Sequence, residues 1–354
     1  MKILLYCDWF KEYTVNLACS LSSLSNDVTI IMRESSSEFN LRREDEKELH
    51  QLLTKNKINF FLLKGKYSSI ISIFDLVKIF KLKKKDGLHC FHIQQSSDPR
   101  FLWIALLTPT ILTLHEPIQR IGVKRENGIF KRVISDFTEN LYRRFSNIII
   151  VHTKECLINL SKSEKKKAVV IPHGVSTIKN SKQINSNTIL FFGRATEYKG
   201  IDTLLAAMQI VWLSKPEATL RILASPGDYR IEKQLDARII ASWNGYTNLE
   251  LENELTNAKI VCMPYISATG SGVGAQAYGA RKIIVATDLD GLRNLVSNQN
   301  YLVPPCDEKK LAQALIIALN DQANDQIIND NITWPFVGKN HMETYQNLIK
   351  FKIN

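Results

Sequence analysis

The chain has 354 residues, 45% hydrophobic and 23% charged, an ordinary globular composition at a length that one core rarely organises, so two domains are expected. Its longest apolar stretch, Phe101–Leu114, is too short to cross a bilayer and is interrupted by Pro109 and three threonines. The net charge of +11 is uneven: residues 1–175 carry 28 Lys+Arg against 18 Asp+Glu, and residues 176–354 carry 18 against 17, which points the first half toward an anionic surface or substrate.

The chain opens with KILLYC (Lys2–Cys7), an apolar run that reads as a strand. A periodic helix around Tyr13–Leu24 and a second strand at Asp27–Met32 follow, the start of a parallel sheet. Asn59–Leu63, Leu88–Ile93, Thr110–His115, Asn147–His152 and Ala168–Gly174 are further strand candidates, mostly separated by helical segments. That alternation predicts a doubly wound α/β domain. The MKILLYCDWF start lacks the long apolar region and cleavage site of a secretory signal, so a cytoplasmic location is expected.

From Ser176 to Thr188 the chain is polar and aperiodic, as an inter-domain linker is. A second alternation then runs through Thr188–Gly193, a helix at Ile201–Leu213, strands at Leu220–Ser225, Lys259–Tyr265 and Lys282–Thr287, and a helix at Glu308–Leu319. The expected division is residues 1–175 together with a closing helix at 335–354, and residues 176–334. Two such open sheets bind ligands at the carboxyl ends of their strands.

Two segments carry the chemistry. In FFGRATEYKG (Phe191–Gly200) a strand ends, Gly193 allows a tight turn, and Arg194 and Lys199 can aim two cations at one anion. A diphosphate leaving group is the natural partner, although a surface Arg and Lys flanking a turn would read the same. In PYISATGSGVGAQAYG (Pro264–Gly279), Gly270, Gly272 and Gly274 surround Ser271 where a strand passes into a helix, a backbone cradle for anions that also occurs in loops without ligands.

Together these segments resemble the family 4 glycosyltransferases of GT-B architecture. The resemblance rests on Gly193, Arg194, Lys199 and Gly200, on the turn and small-residue helix of Pro264–Val285, on VIPHGV (Val170–Val175), on TLHEP (Thr113–Pro117), and on the tail Trp334–Ile349. It implies two Rossmann-like doubly wound parallel-sheet domains facing across a cleft, with a C-terminal helix crossing back to the N-terminal domain. Arg194 and Lys199 would hold the donor diphosphate and assist catalysis. Gly193, Gly270 and the backbone of Ser271, Gly272 and Val273 would line the same phosphates, and His115 would lie beside the sugar or the acceptor hydroxyl.

The family's paired glutamates are missing. On alignment, Ala268 stands at the first and Gln276 at the second, where an amide can still bond ribose hydroxyls. Asn294 likewise stands where an acid is frequent. The implied activity is transfer of a hexosyl unit from a nucleotide-diphosphate sugar to a hydroxyl of a glycan or lipid-linked precursor, with retention, in surface polysaccharide biosynthesis. An inverting transferase with His115 or Asp8 as base, a sugar-nucleotide epimerase, and a non-catalytic sugar-nucleotide-binding protein stay open.

On the acceptor side the candidates are Asp8, Tyr13, Lys124 and Arg125, with Asp8 and Glu12 equally readable as helix-start carboxylates. The basic runs at Lys78–Lys85, Lys124–Arg144 and Ser161–Lys167 fit peripheral attachment to an anionic inner membrane face. They lack the interleaved aromatics of a nucleic-acid binder. The six scattered cysteines have no C-x-x-C pair and read as buried thiols, and His89, His92 and His152 lie on apolar strands, so neither a metal nor a cofactor is expected. His173 reads as structural, and the five tryptophans show no stacking pattern.

Overall fold

The computed structural model describes residues 1–33, 43–63, 87–117, 129–177, 186–229, 236–321 and 328–353. By internal contacts the chain forms two units, one of residues 1–118, 125–174 and 331–354, the other of 119–124 and 175–330.

In the first unit the strands are β1 (Lys2–Cys7), β2 (Asp27–Arg33), β3 (Asn59–Leu63), β4 (Cys90–Gln94), β5 (Thr110–Thr113), β6 (Ile148–Val151) and β7 (Ala168–Val170). They form one parallel sheet in the order β3-β2-β1-β4-β5-β6-β7. Its central strands are buried almost throughout because both faces are covered, and their apolar residues run continuously in β1 while β4 and β5 also bury His92, Gln94, Thr110 and Thr113. One face packs on α1 (Lys11–Ser23), α2 (Arg43–Lys55) and the last helix of the chain, through Leu17, Leu21, Leu53, Val337 and Tyr345. The other packs on α3 (Leu102–Leu107), α4 (Ile129–Phe145) and α5 (Lys154–Ile158), through Phe101, Ile104, Tyr142 and Cys156. A single capped turn, α6 (Lys162–Lys165), precedes β7, with Ser161 and Glu164 closing a capping box.

In the second unit, β8 (Thr188–Arg194), α7 (Ile201–Ser214), β9 (Thr219–Ser225), β10 (Ile239–Ser242), α8 (Asn248–Asn257), β11 (Ile260–Met263), α9 (Gly272–Gly279), β12 (Ile283–Thr287), α10 (Asp290–Arg293), β13 (Leu302–Val303) and α11 (Glu308–Asn320) follow in chain order. The sheet is parallel, ordered β10-β9-β8-β11-β12-β13. Each sheet reverses its winding once, between β1 and β4 in the first and between β8 and β11 in the second. The crevice at the carboxyl end of such a reversal is where open α/β sheets bind ligands.

The last helix, α12 (Trp334–Ile353), belongs to the first unit and lies along α1. The two approach closely because Gly338 has no side chain: a Cβ there would lie 2.0 Å from Ser20 Oγ, and that hydroxyl donates to the Trp334 carbonyl at 2.7 Å.

Three lysines next to strand starts cap helix ends. Lys167 donates to the carbonyls of Arg143, Arg144 and Ser146 at the end of α4. The buried Lys259 donates to Leu319 of α11 at 2.6 Å, and the buried Lys282 to Thr256 of α8 at 3.2 Å. A cation there takes up carbonyls that have no partner within the helix and complements its dipole.

Candidate functional site

In the second unit the site grows from the end of β8. Gly193 has φ 116°, and a Cβ there would lie 2.5 Å from Lys199 Nζ and 3.0 Å from Val273 Cγ2. The amine of Lys199 therefore rests on bare backbone, beside the first turn of α9. Lys199 is only 5% exposed, and its Nζ lies 5.1 Å from the centre of the Tyr265 ring. Gly200 holds the loop in place with φ 66°, where a Cβ would strike the Pro264 carbonyl at 2.0 Å. The Ile266 N–H donates to the Tyr198 carbonyl at 2.7 Å, so the loops leaving β8 and β11 are tied together. Arg194, by contrast, is exposed.

Ser271 is the N-cap of α9, its hydroxyl accepting from Gly274 N at 3.0 Å. Only one of the first-turn N–H groups is thereby taken up within the cap. At Gly270 and Gly272 a Cβ would meet nothing within 4 Å. Their missing side chains are not demanded by neighbouring protein atoms; they leave the backbone bare on an open side. Gly274 is different, since a Cβ there would strike Leu295 at 2.5 Å. Gln276 is half-buried one turn further on, and Ala268 is half-buried in the loop before Gly270. An ammonium, bare glycine backbone and a helix start thus meet at the reversal of this sheet, an arrangement suited to an anion. The hydroxyls of Thr196 and Ser267, on the two loops, are buried without a hydrogen-bond partner.

Sequence reasoning missed an aromatic pair at this sheet edge. Tyr229 and Trp243, beyond β9 and β10, have ring centres 6.3 Å apart, and Tyr229 donates its hydroxyl to Asp202 at 2.7 Å. Trp212 lies under the Arg238 guanidinium at 4.0 Å, and Trp334 meets Tyr13 and His173 edge-on. The partners are distant in sequence, which is why no pattern appears along the chain.

In the first unit the reversal between β1 and β4 holds Asp8. It is no helix cap, correcting that reading. The N-cap of α1 is Phe10, in the left-handed region with no side-chain bond, and only Glu12 lies in the first turn. Asp8 is 2% exposed. Its Oδ2 accepts from Ser96 at 2.9 Å and lies 4.0 Å from Arg33, while Oδ1 has no hydrogen-bond partner. Burial, and then the nearby charge of Asp98, push its carboxyl up to about 7. Asp98 is itself clamped by Arg100 and Tyr6.

His115 follows β5 and is 6% exposed. Phe10 stacks on its ring with centres 3.7 Å apart, and Tyr13 meets it edge-on. Both its nitrogens are engaged: Nε2 lies 2.9 Å from the Gln94 side-chain amide and Nδ1 lies 3.0 Å from His152 Nε2. Tyr13 is buried and its hydroxyl pairs with His341 of α12 at 3.2 Å; burial holds its phenol well above the ordinary range. His92 bridges Thr113 and Tyr345. Five histidines thus gather in this unit's core, four of them held below the usual imidazole value chiefly by burial. Lys124, Arg125 and the Lys78–Lys85 run lie outside the described residues. Of the six cysteines, Cys306 is exposed and Cys19 half-buried. Among the described residues no group of three His, Cys, Asp or Glu could hold a metal ion, and no helix is long and apolar enough to cross a membrane.

Residues 11–179 match the family model for glycosyltransferase family 4, and residues 186–321 match that for glycosyl transferases group 1. Curated proteins offer no match. Among solved structures, sucrose-phosphate synthase (tll1590) from Thermosynechococcus elongatus is 15% identical, with 99% of each chain covered and a TM-score of 0.68. Anabaena Alr3699/HepE in complex with UDP and glucose is 14% identical, covering 98% of this chain and 100% of that one, at 0.70. An α,α-trehalose-phosphate synthase (UDP-forming) from Burkholderia xenovorans in complex with glucose-6-phosphate is 10% identical, covering 98% and 99%, at 0.62. At such identities the likeness is one of fold, and that fold is GT-B.

Proposed function

We start from what the two family matches show, that this chain belongs to the family 4, group 1 glycosyltransferases, and propose that it moves a hexosyl unit from a nucleotide-diphosphate sugar to a hydroxyl of a glycan or lipid-linked precursor. The observation that carries the donor assignment is the Lys199 amine seated on Gly193 beside the start of α9. A diphosphate there meets an ammonium and backbone N–H groups, and the exposed Arg194, next to Gly193 in the chain, adds a guanidinium for its outer oxygens. These groups stabilise the leaving diphosphate as negative charge develops on it. A UDP-sugar is the first donor to test, because HepE was solved with UDP and glucose.

Retention is the outcome we favour. An inverting reaction needs an open general base, yet His115 has both ring nitrogens engaged and Asp8 is almost wholly enclosed. In the retaining reading the departing diphosphate takes the acceptor proton on the same face. Gln276 replaces the missing second carboxylate as a neutral partner for ribose. The strongly basic first half supports a lipid-linked acceptor at an anionic membrane surface, within a surface polysaccharide route. No metal or cofactor enters this scheme.

Thermal stabilisation by a panel of UDP-, GDP- and dTDP-sugars tests it, since a ligand that binds the folded state raises the midpoint. One donor class should raise the midpoint of the wild type and leave Lys199→Ala unmoved. Equal stabilisation of both proteins would refute the site. The missing carboxylates at Ala268 and Gln276 favour a second reading, a sugar-nucleotide binder without turnover; donor binding by calorimetry with no product would select it.

A further inference from the structure

One face of the first unit combines exposed apolar side chains with a one-sided charge. α3 and α4 pack against each other on the same face of the sheet. On them Leu106, Leu107, Val133, Phe137 and Phe145 are 56%, 70%, 60%, 62% and 38% exposed. Val133, Phe137 and Phe145 repeat at multiples of four, so they form one stripe along α4. α3 through α6 join the consecutive strands β4 to β7, and right-handed crossovers put them on one side of the sheet. Their exposed cations are Arg144, Lys154, Lys162, Lys165 and Lys166, and among their described residues Glu155 is the exposed acid. Glu139 and Glu164 share Arg143 at 3.1 and 3.2 Å, which offsets one of their two charges, and Asp136 of α4 is half-buried, so cations still outnumber acids on this face.

We propose that this α3–α6 face docks on an anionic lipid bilayer, its leucines and phenylalanines entering the interfacial region while its lysines and Arg144 meet the headgroups. This rests on the membrane-surface reading above and gives it a location. Apolar side chains flanked by cations are what an interfacial attachment requires. A second copy of the chain is a poor occupant, because a two-fold contact through this face sets cations against cations. A polynucleotide would satisfy the lysines but leave the apolar stripe in water.

The test is co-sedimentation with vesicles of pure phosphatidylcholine and of equimolar phosphatidylcholine and phosphatidylglycerol, at low and high salt. The wild type should bind only the mixed vesicles, and less in high salt. The double variant Leu107→Asp/Phe137→Asp should bind more than tenfold more weakly, and Arg144→Glu/Lys165→Glu/Lys166→Glu should lose the preference for phosphatidylglycerol. All these positions are exposed, and unchanged circular dichroism together with retained donor-induced stabilisation shows that the variants fold. The donor measurement also separates failure here from failure of the transferase reading. Undiminished vesicle binding by Leu107→Asp/Phe137→Asp would overturn the proposal. So would a wild-type dimer, seen by sedimentation, that this variant breaks, or stronger binding to a polynucleotide than to the mixed vesicles.

Discussion

His152 donates its Nδ1 proton to the carbonyl of Ile171 at 3.0 Å, which fixes the protons of the ring beyond it. A carbonyl only accepts, and burial drives His152 down to about 3, so its ring is neutral and its Nε2 carries a lone pair. His115 must then give its Nδ1 proton to that lone pair. Its Nε2 is left as an acceptor toward the Gln94 amide, whose two ends exchange by a half-turn. We expect nitrogen-15 NMR of the histidine rings to show His115 as the Nδ1–H tautomer, and His152→Ala to shift it toward Nε2–H. The same tautomer in both proteins would remove the relay.

Three glycines around the candidate anion site should respond differently to alanine. Gly193→Ala places a methyl group against Lys199 Nζ at a φ of 116°, and should lower both stability and donor affinity. Gly270→Ala and Gly272→Ala meet no protein atom, so stability should hold or rise by up to about 1 kcal/mol. Donor affinity should nevertheless fall at least tenfold, because the methyl group occupies ligand space. Calorimetric titration beside thermal melting checks the split, and full affinity in Gly272→Ala would move the diphosphate elsewhere.

Asp8 gives a pH dependence of defined sign. Its folded carboxyl sits near 7, above the unfolded value, so the stability it contributes is complete below about pH 4 and lost as pH rises through 7. Asp8→Asn should therefore stabilise the protein at pH 8, by one to a few kcal/mol in order of magnitude, and have little effect at pH 4. If Asp8 is instead the base of an inverting reaction, this variant also abolishes turnover, so melting and activity together distinguish the roles.

The buried histidines act in the opposite direction. His152 lies near 3 and His341 near 4, with His92 and His173 also lowered. Unfolded imidazoles bind protons from about pH 6.5. Stability should thus be full above pH 6.5 and fall as pH drops toward 4, by up to about 1.4 kcal/mol per pH unit for each titrating ring. His341→Phe should flatten this slope while losing the bond from Tyr13. A slope unaltered by the substitution would exclude His341.

Arg281 should tolerate glycine well. It has φ 56° at the end of α9, where the N–H groups of Arg281 and Lys282 bond the carbonyls of Tyr278 and Ala277 at 2.9 and 3.1 Å. This paired closure favours glycine in the left-handed position. Relief of about 1–2 kcal/mol of strain, less the extra freedom of the unfolded chain, leaves Arg281→Gly more stable by about 0.5 kcal/mol. Chemical denaturation measures it, and a loss of stability would mean the exposed guanidinium contributes more than the strain costs.

The strands β1 and β8 at the winding reversals were legible because central parallel strands carry continuous apolar runs, as ILLYC and ILFF do. So was the glycine turn at Ser271. The four-residue β10 was not legible, since its residues are half-exposed and carry no alternation. The helix α8 announced itself only by the Thr247–Glu250 capping box, a signal the reading passed over. Nor could sequence gather His92, His115, His152, His173 and His341, because their contacts span up to 328 positions. Asp8 looked like a helix start for the same reason: Ser96 and Asp98, which enclose it, arrive from another strand.

The lysines that close α4, α8 and α11 make useful clocks. With Lys259 and Lys282 enclosed and Lys167 held by three carbonyls, an amine-reactive label should pass over them in the native protein and find them only as their layers open. Lys282, lowered to about 8 by burial, returns to the ordinary lysine range once its layer opens, so its labelling reports the opening itself. Mass spectrometry of labelled chains at rising denaturant would time the opening of α4 in one unit against α8 and α11 in the other.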